Sequence, residues 1–503
     1  MLILMPFILI LPFELIHVVE YDGYTTLAAF SSSIETNYGE ASEFLHDYRH
    51  YLFLTTPFQI LALLAFFLIP RHISVNRTGK IAISAVFTLT CALFSTKTFL
   101  DTQETILTEQ EKLYARLLSE NYPFSYAVKT TQYIDQIIKM RLALAEKANF
   151  QFNIQMNSSA DKLPDVIVLV IGESSRAINW SLNGYQRDTN PLLSQRHDII
   201  NFTHAITAAT TTRQSVLLSL TRATPENLTP LTKEKSLIQA FREAEYKTFW
   251  LSNQNKLGAV DTPITALANE ADVTRFTNVN YMYNPAYDEI MFPMFEQALT
   301  DPASKKLIIL HTLGSHEVYR MRYPPGFERF KPSSKGDDYN FSSPGIKERL
   351  VNSYDNSILY TDFVINSFID ILASRSHSSV MLYFSDHGEN LLDDGNMRFG
   401  HGGVMPTNYV IHIPMLAWMS KQYHQEHTDK FMAFSKNKDN LISLNSLFDT
   451  TLDLASLEIP QQAQNYSIAR YPGKSPSSIL NPKYDAIPYS KIETTDHAEL
   501  PTQ

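Results

Sequence analysis

Five short runs limit what this chain can fold into: "DVIVLVIG" (165–172), "KTFWLS" (247–252), "KKLIILHTLG" (305–314), "SVMLYFSD" (379–386) and "IPMLAWMS" (413–420). Each is rich in β-branched, aromatic or long aliphatic residues, and most are apolar at almost every position. A strand of this kind has no polar face for water, so both of its sides must be covered. Helical patterns lie between the runs. One is "SLIQAFREAEY" (236–246). Another spans 349–374, with apolar residues at Val351, Tyr354, Ile358, Ile365, Phe368, Ile369 and Leu372. This alternation predicts an α/β domain over 163–460, with a mostly parallel central sheet flanked by helices. The proline-rich tail, 461–503, reads as weakly structured.

The first hundred residues have a different pattern. Long apolar stretches occupy 2–19, 51–69 and 81–95, the first interrupted by Glu14. About 20 apolar residues cross a bilayer, so 1–105 reads as a helical membrane domain with about three spans. A charged segment with helical spacing, 106–162, reads as a bridge to the α/β domain. The connection 71–80 carries Arg71, Arg77 and Lys80 and no acid, whereas 20–50 is rich in acids. The positive-inside rule puts 71–80 in the cytoplasm and everything after about residue 100 on the far side.

The net charge of −10 argues against a general nucleic-acid binder. The single cysteine, Cys91, rules out an intramolecular disulfide and a cysteine-based zinc site. Any metal must therefore be held by carboxylate, imidazole or hydroxyl groups. Such residues recur at strand ends. Glu173 follows the first run, and Asp386 and His387 follow the fourth. His311 lies inside the third and His316 just past it. Ligands of open parallel sheets gather at the carboxyl ends of strands, so Glu173, Asp386 and His387 can meet there despite their separation in sequence. The hydroxyl-rich turn "TAATTTRQSV" (207–216) runs into a helical pattern. A hydroxyl there either caps the helix or touches a metal and becomes a nucleophile.

The segments "VIGESSRAINWSLNGYQRDTNP", "TTRQSV", "GSHEVYRMRYP", "SYDNSILYTD" and "SDHGEN" together resemble the phosphoethanolamine transferases of bacterial envelopes, in the alkaline phosphatase/sulfatase superfamily. The resemblance covers nearly the whole chain. It implies an enzyme of the bacterial inner membrane whose catalytic domain lies in the periplasm. It also implies zinc (Zn2+) held by Glu173, Thr212, Asp386 and His387, with Thr212 as nucleophile. His316 and His401, in "FGHGG", match substrate-site histidines. Lys256, in "WLSNQNKLG", matches a substrate-contacting lysine. Thr36 and Glu40, in "SSIETNYGE", resemble donor-lipid contacts, and Ser32 stands where the lipid A enzymes have asparagine. The implied donor is phosphatidylethanolamine. The implied acceptor is lipid A, lipopolysaccharide core or a periplasmic or surface glycan, and the enzyme is expected to act as a monomer. The lipid A enzymes differ in having five membrane helices and several disulfides. Phosphoglycerol transfer, or hydrolysis by a sulfatase or phosphatase, is the alternative chemistry. A sulfatase, however, needs Cys or Ser in a C/S-x-P-x-R setting, and Thr212 is not in one.

Overall fold

The computed structural model describes residues 5–20, 24–35, 41–42, 44–45, 48–68, 122, 124–156, 162–255, 262–278, 287–334, 343–375, 377–393, 398–460, 466–472 and 478–492. The chain divides into two units, Met1–Ile34 with Phe44–Leu142, and Glu35–Glu43 with Ala143–Gln503.

Among the described residues the first unit includes α1 (Met5–Glu20), α2 (Leu27–Glu35) and α3 (Arg49–Leu68), and the unit boundary falls within α4 (Phe124–Glu146). Glu14, the acid that interrupts the first apolar stretch, is buried and accepts the Thr25 hydroxyl at 2.6 Å. Pairing within the protein makes an acid tolerable in an apolar helix. Large apolar side chains face outward on α1 and α3, with Phe53 at 72% exposure and Phe58 at 64%. Among the described residues no helix is long and apolar enough to cross a membrane. The third apolar stretch, 81–95, and the basic connection, 71–80, lie outside the described residues.

The second unit is built on a seven-stranded sheet. Its strands are β1 (Val166–Gly172), β2 (Ile199–Phe202), β3 (Lys247–Asn255), β4 (Val273–Asn278), β5 (Lys306–His311), β6 (Ser379–Ser385) and β7 (Met415–Met419), in the order β2-β7-β6-β1-β5-β3-β4. Every residue of β1, β5, β6 and β7 is buried, as strands covered on both faces require. The face toward α5 (Thr212–Leu220) joins Ile167, Leu169 and Ile171 to Val216 and Leu218 in one core. The predicted long helix is α6 (Ile346–Ala373).

The structure refines two expectations. The sheet is mostly parallel but mixed: β6, β1, β5, β3 and β4 run parallel, whereas β7 is antiparallel to both of its neighbours. A parallel return needs a crossover, usually a long helix. Between β6 and β7 the described residues hold only one short helix, Asn408–Ile411, so β7 comes back antiparallel. The tail is also not simply unstructured. Residues 478–480 and 486–488 form an antiparallel hairpin, and Ile479 and Ile492 pack with Ile206 and Ile411. Those isoleucines are too widely spaced among prolines to show a period.

Candidate active site

In the β1–β6 pairing Gly172 stands opposite Ser385, so Glu173 and Asp386 leave the sheet side by side. Local contacts hold this exit. Ser174 adopts φ +55°, an uncommon value for a residue with a side chain. Its amide donates to Asp386 Oδ1 at 3.1 Å and its hydroxyl to Glu173 Oε1 at 2.9 Å. The Ser175 amide donates to Ser385 Oγ at 2.8 Å, and the Tyr354 hydroxyl of α6 donates to the Ser174 carbonyl at 2.6 Å. Arg176 is buried and pairs with Asp393 at 2.6 Å. The "GESSR" segment is therefore a clamp that presents one carboxylate.

The hydroxyl-rich turn meets that carboxylate. Thr212 is the first residue of α5, and its Oγ1 lies 3.2 and 3.3 Å from the two oxygens of Glu173 and 3.1 Å from His387 Nε2. Its neighbours point elsewhere. Thr210 is fully buried, Thr211 donates to the side chain of Gln214, and Ser215 donates to the Asp386 carbonyl at 2.7 Å. The first amides of a helix have no preceding carbonyl, so this turn also suits an anion.

Glu173, Asp386 and His387 are all buried, and each offers a ligand atom within 4.8 Å of the others. His387 Nδ1 stands 2.9 Å from the Gly388 carbonyl, an arrangement that makes Nδ1 the donor and turns the Nε2 lone pair toward Glu173 and Asp386. Asp386 Oδ2 is buried without a hydrogen-bond partner. Burial first, then the Asp386 charge, raises Glu173 well above the usual carboxylate range. Burial likewise pushes Asp386 up to about 6 and holds His387 well below the usual histidine range. Two facing carboxylates, one of them with a buried oxygen that lacks a hydrogen-bond partner, and a neutral imidazole nitrogen form a donor set that fits a divalent cation of zinc's preferences.

A second layer adjoins it. The His401 ring lies 3.9 Å from the His387 ring, and its Nδ1 is 3.2 Å from Glu389. Burial alone would lower His401, but the charge and hydrogen bond of Glu389, with the charges of Asp386 and Glu317, together outweigh it and raise the imidazole above its usual range. His387, Glu389 and His401 form a second ligand-like group. His316 is held down to about 3, chiefly by burial and then by the Arg322 charge, and its Nδ1 is buried without a partner.

A sulfatase family model matches residues 165–457. The chain is 29% identical over 496 residues to phosphoethanolamine transferase EptC of Escherichia coli (strain K12), a match spanning 94% of this chain and 82% of that protein. The C-terminal periplasmic domain of EcEptC from Escherichia coli, solved in complex with Zn, is 31% identical with a TM-score of 0.62, covering 68% of this chain and 97% of that one. This chain belongs to the phosphoethanolamine transferases of the sulfatase family. The integral membrane lipooligosaccharide phosphoethanolamine transferase A of Neisseria meningitidis shares the fold of this phosphoethanolamine transferase over 93% of the present chain and 88% of its own, at 23% identity and a TM-score of 0.67.

The structure thus brings Glu173, Thr212, Asp386 and His387 to one point, with His401 against them. Lys256, Thr36 and Glu40 lie outside the described residues, as does the side chain of Ser32 in α2. Sequence reasoning passed over two neighbours. Gln254, near the end of β3, donates to Glu173 Oε2 at 3.2 Å and to the Thr312 carbonyl at 3.0 Å. Its position at a strand's carboxyl end was the available signal. Glu389, three residues past Asp386, was the other. Gly388 between them has a steric reason: a Cβ there would stand 2.2 Å from the Tyr409 carbonyl oxygen. Gly388→Ala is expected to destabilise the domain by about 1–3 kcal/mol, the usual cost of overpacking. Thermal unfolding of the purified variant against wild type checks this, and an unchanged midpoint would mean that the loop yields freely.

Proposed function

We propose that the chain moves phosphoethanolamine from phosphatidylethanolamine to an envelope acceptor through a phosphothreonine at Thr212. The observation that carries this reading is the Thr212 hydroxyl, set at a helix start against Glu173 and His387. Thr212 Oγ1 attacks phosphorus, the P–O bond to diacylglycerol breaks, and the released alkoxide takes a proton. A hydroxyl or phosphate of the acceptor then attacks the same phosphorus and frees Thr212. Glu173, Asp386, His387 and Thr212 would hold zinc, which when bound supplies positive charge that lowers the pKa of a hydroxyl it touches. His401, whose imidazole is raised above its usual range beside Glu389, would set positive charge toward the oxygens of the phosphoryl group. His316, kept neutral by burial, would contact the phosphoryl group as a hydrogen-bond donor.

The acceptor class is lipid A, lipopolysaccharide core or another envelope glycan. A membrane domain within 1–105 would bring the lipid donor to the site, and the outward apolar side chains of α1 and α3 support it. The catalytic domain would then lie in the periplasm, as the charge of 71–80 requires. Mass spectrometry of envelope glycolipids from cells with and without the protein tests the reading. A species heavier by one phosphoethanolamine is expected only with the wild-type chain, and a glycerophosphate increment instead would reassign the donor.

A further inference from the structure

Asp288 belongs to none of the motifs discussed above, yet it is buried, at 5% exposure, at the same edge of the sheet. A buried carboxylate must be satisfied by donors. Asp288 accepts the backbone amides of Leu313 and Gly314 at 2.8 and 2.9 Å and the Asn253 side-chain amide at 2.8 Å. The Asn253 carbonyl oxygen in turn accepts the Thr277 hydroxyl at 2.5 Å. The chain of contacts thus begins at β4, crosses the end of β3 and reaches the turn that leaves β5.

That turn lies against the catalytic carboxylate. Gly314 has φ +51°, and a Cβ on it would stand 2.9 Å from both the amide nitrogen and the carbonyl oxygen of Glu173. The next amide, Ser315, donates to the Glu173 carbonyl at 3.0 Å. His316 follows directly. On the β3 side, the residue after Asn253 is Gln254, whose amide reaches Glu173 Oε2. One carboxylate therefore fixes two segments that touch Glu173 from different strands.

We propose that Asp288 is a positioning residue of the active site, setting Glu173, Gln254 and His316 through the Leu313–Gly314 turn and Asn253. This deepens the transferase reading and rests on it for the catalytic effect, but the geometric claim is separable. Asp288→Asn keeps the size and removes one acceptor, leaving an NH2 facing a backbone amide. In the full chain in detergent, hydrogen exchange of the 310–318 segment is expected to speed up by at least about tenfold, with β1 and α6 unchanged. Zinc affinity, read by chelator competition, and kcat for diacylglycerol release are expected to fall about 10–100-fold, with KM for phosphatidylethanolamine within about twofold. A purely structural role would shift exchange everywhere. If Asp288→Asn does not fold, Asn253→Ser, which removes the side-chain bonds to Asp288 and Thr277 but leaves the Asp288 carboxylate in place, should raise exchange at 310–318 alone. Wild-type exchange and zinc affinity in the variants would overturn the proposal. A wild-type enzyme that releases no diacylglycerol would instead sink the transferase reading, while exchange and zinc affinity still decide the role of Asp288.

Discussion

Thr212→Ala is expected to abolish transfer, by at least about 10^3-fold in kcat, because no other oxygen in the turn can take over the attack. Thr210 and Ser215 are fully buried, and the Ser215 hydroxyl is already directed at the Asp386 carbonyl. Thr211 hydrogen-bonds Gln214. Only Thr212 sits between Glu173 and His387. The side chain is partly exposed, so its loss is expected to cost within about 1 kcal/mol of stability. Thr212→Ser keeps the oxygen without the methyl that restricts its rotamer, and part of the activity should survive. Wild type incubated with phosphatidylethanolamine should carry a phosphoethanolamine adduct on the peptide containing Thr212. An adduct on Thr210 or Ser215, or full turnover by Thr212→Ala, would place the chemistry on another oxygen.

Removing the metal should reverse the pH dependence of stability. Asp386 is raised to about 6 by burial, and Glu173 is raised well above the usual carboxylate range by burial and by Asp386. In the metal-free fold both hold protons more tightly than the unfolded chain does, whose carboxyls titrate near about 4. Their contribution is therefore complete below about pH 4 and is lost as pH rises, through about 6 for Asp386 and through the raised range of Glu173. With chelator present, the thermal midpoint is expected to fall from about pH 5 to about pH 8. With zinc present the trend should be opposite, because binding needs both carboxylates ionised. Asp386→Asn should bind zinc more than about 100-fold more weakly, beyond the loss from an outer partner. The same variant should nonetheless flatten the decline seen in chelator, since it removes one of the two facing charges. A wild-type midpoint that ignores both zinc and pH would show that these residues hold no metal. Tight zinc binding by Asp386→Asn would remove that residue from the ligand set.

How much of the site could be read in the sequence depended on distance along the chain. Glu173, Asp386 and His387 were recognisable because each follows a strand whose apolar pattern is unmistakable, and ligands gather where such strands end. Gln254, Glu389 and Asp288 were not. Gln254 and Glu389 lie near strand ends, but each of the three takes its role from a hydrogen bond to a residue at least twelve positions away, and the sequence pattern does not name that partner. Thr212 was separable from Thr210, Thr211 and Ser215 only through the family resemblance. The fold shows the physical basis, since the start of α5 turns that one side chain toward the carboxylates.

The sequence by itself determined the kind of sheet and which groups could hold a metal. Strands apolar on both faces must be covered by helices, and a chain with one cysteine in an apolar run must use oxygen and imidazole ligands. It did not determine strand direction, because the apolar pattern of "IPMLAWMS" is the same read either way. Tertiary structure decided it: after the connection 386–414, β7 pairs antiparallel with β6. Tertiary structure also decided which oxygen faces the carboxylates and which buried acid braces them. Both are matters of angstroms between distant segments, set by packing around Gly314 and Gly388, where nothing larger fits.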